Sequence, residues 1–138
     1  MPEATKIDFR YRRMNEIADI TDLVGILFPG NRNQQHAAAR ILLALKATRE
    51  PLPSVGHLQQ QYNISRRTIE RTRAKLARLG LIEHASWMNS RYCGQTGWKL
   101  SGRMGTALRQ LADRIDEWRK DTRPERLEKD ERLMGLLR

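Results

Sequence analysis

Apolar residues recur at helical spacing along much of this chain. Ile17, Ile20, Val24, Leu27 and Phe28 predict a first amphipathic helix over about residues 15–28, which Pro29-Gly30-Asn31 ends. Ala37, Ala38, Ile41, Leu42 and Leu45 form the inner stripe of a second helix, over about 33–48, with Asn33 as its cap. Pro51-Leu52-Pro53 reads as a rigid extended link. Ser54 then caps a short helix of about 55–61, which ends at Tyr62-Asn63, where asparagine tolerates the left-handed backbone of a tight turn. Ile64 plugs that turn into the core. Ser65 caps a long helix running to Leu79, and Gly80 terminates it. On that helix Ile69, Thr72, Leu76 and Leu79 make one inward stripe.

Beyond Gly80 the pattern changes. Leu81 to Trp87 reads as a strand, Met88 to Gly97 as a polar loop, and Trp98-Lys99-Leu100 as a short return strand. Trp87 and Trp98 are placed as a cross-strand aromatic pair. Ser101 caps a further helix whose apolar positions, Met104, Leu108, Leu111, Ile115 and Trp118, trace a heptad seam over about two repeats. Pro124 breaks it, and a last helical segment carries Leu133, Met134, Leu136 and Leu137.

This order predicts a mainly α fold: a winged helix-turn-helix with a two-stranded β-wing, extra N-terminal helices and a C-terminal helix. The expected division is a flexible basic arm over about 1–14, a winged-helix domain with its N-terminal helices over about 15–103, and a C-terminal helical segment over about 104–138. The arm ends in Arg10, Arg12 and Arg13, and is either disordered or in touch with phosphate.

Charge sharpens the picture because of where it lies. The chain carries 26 Lys+Arg against 16 Asp+Glu, a formal net charge of +10. Residues 64–103 hold 9 basic against 2 acidic side chains, whereas 104–138 hold 9 against 8. A basic face confined to the third and fourth helices and the hairpin is the electrostatic footprint of a polyanion partner. Arg66, Arg67, Glu70, Arg71 and Lys75 lie off the inward stripe, and the first four occupy the N-terminal turns, where a recognition helix presents side chains to major-groove base edges. Arginine suits the task because its planar fork donates twice to guanine O6 and N7. Ser65 and Thr68 are placed beside them, with Thr68 in reach of a phosphate or a thymine methyl. Arg73 and Arg78 are placed nearer the DNA backbone or along the domain surface. In the hairpin, Asn89, Ser90 and Arg91 form the tip and Lys99 lies nearby, with Arg91 chosen for a minor-groove or phosphate contact.

The stretch ISRRTIERTRAKLARLGLI resembles the winged-helix DNA-binding domains of bacterial regulators of the GntR and MarR types. The resemblance rests on Ile64, Ser65, Thr68, Ile69, Gly80, Leu81 and Ile82, and covers roughly residues 52–100. It implies a recognition helix in the major groove and a wing tip on the backbone or in the minor groove. Arg73 stands where these families usually bury a leucine, and Gln59 where a small apolar residue is common.

Competing chemistries find little purchase. There is no phosphate-cradling glycine loop, no HExxH motif and no paired cysteines, and His36, His57 and His84 fall on separate elements. The expectation is therefore no enzyme, no metal and no cofactor. Cys93, alone in the sequence, reads as an ordinary thiol in a reducing compartment. No run approaches the ~18 apolar residues of a bilayer span, and Asp8, Arg10, Arg12 and Arg13 interrupt any leader-like stretch. A cytoplasmic, nucleoid-associated protein is expected, with double-stranded DNA as partner and no membrane. The heptad seam either pairs with a symmetry mate or folds back onto the wing, and the homodimer is the reading taken. A small repressor-type transcription regulator follows, with a replication-initiation or partition factor and a winged-helix protein-interaction module as alternatives.

Overall fold

Three helices of this protein start where a side chain is able to cap them. In the computed structural model, which describes residues 14–85 and 96–138, α1 spans Ile20–Leu27 because Asp19 accepts from the backbone N–H groups of Thr21 (2.9 Å) and Asp22 (3.1 Å). The helix thus starts later than its apolar pattern suggested, after a single 3-10 turn at Met14–Glu16. Helix α2, Arg32–Lys46, is capped by Asn31, whose side-chain oxygen accepts from Gln34 N at 3.1 Å. The cap is therefore Asn31, not Asn33: the residue that closes the first corner also opens the next helix. Buried Phe28 fixes that corner, its carbonyl accepting from Gln35 Nε2 at 2.8 Å and from Asn31 N at 3.3 Å.

Leu52 does more than link. It exchanges two backbone hydrogen bonds with Trp98, 2.8 and 2.7 Å, forming an isolated antiparallel bridge. The chain then turns at Val55-Gly56-His57 into a single helical turn, α3 (Leu58–Gln61), shorter than the sequence suggested. Asn63 adopts a positive φ of 53°, and Ile64 is buried behind it. Helix α4, Arg66–Leu79, begins at Ser65, whose Oγ accepts from Thr68 N at 3.2 Å. It ends at Gly80 in the left-handed region, φ 85°, with Gly80 N donating to Ala77 O and Leu81 N to Leu76 O, the paired bonds of a Schellman stop. Strands β1 (Ile82–Ala85) and β2 (Gly97–Leu100) pair antiparallel in the register Ile82 with Leu100 and His84 with Trp98. The first strand is thus described only to Ala85; Trp87, Asn89, Ser90, Arg91 and Cys93 lie outside the described residues.

The chain divides after Arg103 into two units. In the first, α2 packs against α1, α4 and β2. Phe28, Ile41, Val55, Ile69, Leu76 and Ile82 are almost wholly buried there, each contributing on the order of 1.5–3 kcal/mol by leaving water. Thr72 is wholly buried among them, and among the described residues its hydroxyl has no hydrogen-bond partner. The second unit contains most of α5 (Arg103–Lys120), then α6 (Pro124–Leu133) and a closing 3-10 turn at Met134–Leu137. Pro124 opens α6 at its first turn, where a missing N–H costs nothing. Between the helices Arg123 donates to both carboxylate oxygens of Asp121, at 2.8 and 2.9 Å. None of the α5 or α6 residues is buried.

Candidate nucleic-acid interface

Helix α4 has one face it cannot turn. Ile69, Thr72 and Leu76 are buried, so the opposite face is fixed by helical geometry as Arg67, Arg71, Ala74 and Arg78, spaced i, i+4, i+7 and i+11. All four are exposed. Among the described residues Arg67, Arg71 and Arg78 have no ion pair and donate no side-chain hydrogen bond. Arg66, on the flank, is matched by Glu70, with Nε 2.9 Å from Oε1.

The placement of these charges works against helix stability. Arg66 and Arg67 sit in the first turn, which holds no acidic side chain, while the helix dipole there is already positive. A cation in that position is unfavourable by up to about 1 kcal/mol, and like charges at i, i+4 such as Arg67 and Arg71 repel by a few tenths more. Packing alone has no use for such an arrangement. It concentrates positive potential at a helix N-terminus, the local environment that attracts phosphate and other anions.

The remaining expected contact residues divide according to their surroundings. Ser65 and Thr68 bond each other at 2.8 Å through their hydroxyls while making the cap. Lys75 turns inward: its ammonium donates to the Leu27 carbonyl at 2.9 Å and lies 4.4 Å from the centroid of the Phe28 ring. Burial and the neighbouring Arg78 lower its pKa below the ordinary 10.5. Lys99 is likewise engaged, its Nζ 2.7 Å from Glu83 Oε1 across the strand pair, and Arg103 Nε lies 3.3 Å from the other oxygen. These bonds, Lys99 first, hold the Glu83 carboxyl below its usual range. Asn89, Ser90 and Arg91 lie outside the described residues.

Several contacts around α4 lie beyond the reach of sequence reasoning. The guanidinium of Arg73 stacks over the Trp98 ring, 5.0 Å from its centroid, and His84 meets the same ring edge-on at 5.1 Å. The Arg73 side chain thus ties α4 to the hairpin instead of entering the core. Trp98 is therefore matched with His84. On α2, Arg40 lies 3.9 Å over the Tyr62 ring and donates to His36 Nε2 at 3.3 Å, clamping α2 to the turn before α4. Nothing in the spacing of Arg40 or Tyr62 signals that pairing, because the turn geometry creates it.

Elsewhere an aliphatic hollow of about 480 Å³ is lined by residues of α1, α2 and the hairpin base, including Leu23, Leu42, Leu43, Leu81 and Leu100. No group of three or more His, Cys, Asp or Glu able to hold a metal ion occurs among the described residues, and no described helix is long and apolar enough to cross a membrane. In the second unit the seam residues Leu108, Leu111, Ile115 and Trp118 are 50–60% exposed, with Met104 half-buried. No family model, curated protein or solved structure matches this chain.

Proposed function

We propose that the chain is a sequence-specific double-stranded DNA-binding protein of the winged helix-turn-helix kind, acting as a small transcription regulator of repressor type and binding as a homodimer. The observation that carries the reading is the unneutralised Arg67, Arg71 and Arg78 stripe on the outer face of a helix locked by its inner face. The order of elements supports it: α2, the Leu52 bridge, α3, a tight turn, α4 and an antiparallel hairpin present α4 on a rigid support, as major-groove readers require. The apolar seam of α5 supplies a surface for a second copy, which would place two such helices on a two-fold site.

Titration of labelled duplex by fluorescence anisotropy at 50–200 mM salt tests the reading. Binding should weaken linearly in log–log form with a slope steeper than about −3, since each neutralised phosphate contributes about −0.9. A protein that leaves duplex DNA unbound at the lowest salt has another function.

A further inference from the structure

We propose that the major-groove base selectivity of α4 resides in two residues, Arg67 and Arg71, and that they read two guanines on one strand, no more than two base-pair steps apart. The inference rests on the DNA-binding reading above and narrows it to a base type and a spacing.

It follows from elimination among the side chains of α4. Glu70 already neutralises Arg66 at 2.9 Å. Thr68 is tied to the Ser65 cap at 2.8 Å. Lys75 is withdrawn to the Leu27 carbonyl at 2.9 Å, and Arg73 is stacked on Trp98. Arg67 and Arg71 alone combine an N-terminal position on the outer face, exposure and no protein partner among the described residues.

Their chemistry then selects the base. A guanidinium has five donors and no acceptor, and guanine is the base whose major-groove edge offers two adjacent acceptors, O6 and N7. Adenine and cytosine each place an amino donor there, and thymine offers one acceptor beside a methyl group. The spacing follows from the helix. Residues four apart are separated by about 6 Å along the axis, and stacked base pairs by about 3.4 Å, so the two forks fall on neighbouring or next-neighbouring pairs. Ala74, one turn further on the same face, has only a methyl group there and lets the helix approach. Arg78 lies beyond it, about 10 Å from Arg71 along the axis, in a position for phosphate.

The test uses the full chain and duplexes enriched from a random pool. In the best-bound duplex each guanine is replaced singly by 7-deazaguanine, which lacks the N7 acceptor and keeps Watson–Crick pairing. Two positions on one strand, within two steps, should each lose affinity about tenfold. Arg67→Ala should abolish the sensitivity of one position and Arg71→Ala that of the other. Both side chains are exposed, so unchanged thermal melting should show that neither variant has lost its fold. Enriched sites without such a guanine pair, or a pair indifferent to 7-deaza substitution in a duplex that still binds, overturns the assignment and leaves DNA binding intact. Failure to bind any duplex overturns the functional reading and the assignment together.

Discussion

Lys75, on the helix that carries the exposed arginines, donates a 2.9 Å hydrogen bond to the carbonyl of Leu27, 48 residues earlier in the chain. The bond satisfies a carbonyl at the C-terminal end of α1, one of the groups a helix leaves without an internal partner. It also ties α4, whose rotation is already fixed by buried Ile69, Thr72 and Leu76, to the end of α1. Lys75→Met keeps the aliphatic stem on Phe28 and removes the donor, which should lower stability by about 1 kcal/mol at pH 7. The pH dependence has a definite sign. Burial first, and Arg78 second, hold the folded-state pKa of Lys75 below 10.5, so the folded protein releases this proton before the unfolded chain does. Wild-type stability therefore gains relative to Lys75→Met as pH rises from the folded value towards 10.5. Chemical denaturation of both proteins at pH 7 and 10 measures the widening gap. The salt slope of DNA binding should be the same for both, because this ammonium is already occupied.

The Glu83–Lys99 pair spans the hairpin in register, with both side chains about three-quarters shielded from solvent. Its carboxyl titrates below the ordinary 4.5, chiefly through the hydrogen bond from Lys99. A depressed carboxylate contributes stability that is fully present above the unfolded pKa and is lost as pH falls through the folded one. Glu83→Gln should cost about 1 kcal/mol at pH 7, and the difference from wild type should shrink below pH 4.5. Urea melts at pH 7 and in the acid range give both values.

Gly97 is required by the approach of Leu52. A Cβ at this position would lie 2.5 Å from the Leu52 carbonyl oxygen and 2.6 Å from its carbonyl carbon, and the residue has φ +154°. The obstruction is backbone held by two hydrogen bonds, so it has no rotamer with which to yield. Gly97→Ala should destabilise the first unit by about 2–3 kcal/mol, read as a fall in thermal midpoint. A smaller loss would mean that the Leu52–Trp98 bridge opens readily.

What was legible in the sequence was local. Ser65, Asn63 and Gly80 act within five residues of themselves, so the turn, start and stop around α4 followed from residue chemistry. Burial of Ile69, Thr72 and Leu76 followed from periodicity. The cap of α2 is not legible in this way, because Asn31 and Asn33 are both competent and only the corner at Phe28 selects between them. The bridge of Leu52 with Trp98 was invisible, since one residue between two prolines carries no alternation to read. The inward turn of Lys75 and the stacking of Arg73 on Trp98 arise from elements far apart in sequence. A basic helix looks uniformly basic until its neighbours take some of its charges.

The seam of α5 tests the dimer apart from DNA binding. Leu108, Leu111, Ile115 and Trp118 share one face with 50, 56, 51 and 60% of their surface exposed, and a row of exposed large apolar side chains is a common mark of an association surface. Their polar neighbours are satisfied within the second unit: Arg114 Nη1 meets Glu117 at 3.3 Å, Arg119 meets Asp116 at 3.7 Å, and Trp118 Nε1 donates to Asp130 at 3.1 Å. Association of two seams would thus bury aliphatic surface and strand few charges. Leu111→Asp inserts a carboxylate into the centre of that contact and should weaken self-association by at least about 100-fold, equivalent to about 2.8 kcal/mol. Sedimentation should find wild type as a dimer at micromolar concentration and the variant as a monomer with unchanged far-ultraviolet circular dichroism, which reports the helices and not the seam tryptophan. On a duplex carrying two inverted half-sites the variant should lose cooperativity and keep its affinity for a single half-site. A wild-type chain that sediments as a monomer at high concentration would mean that this seam has a different partner.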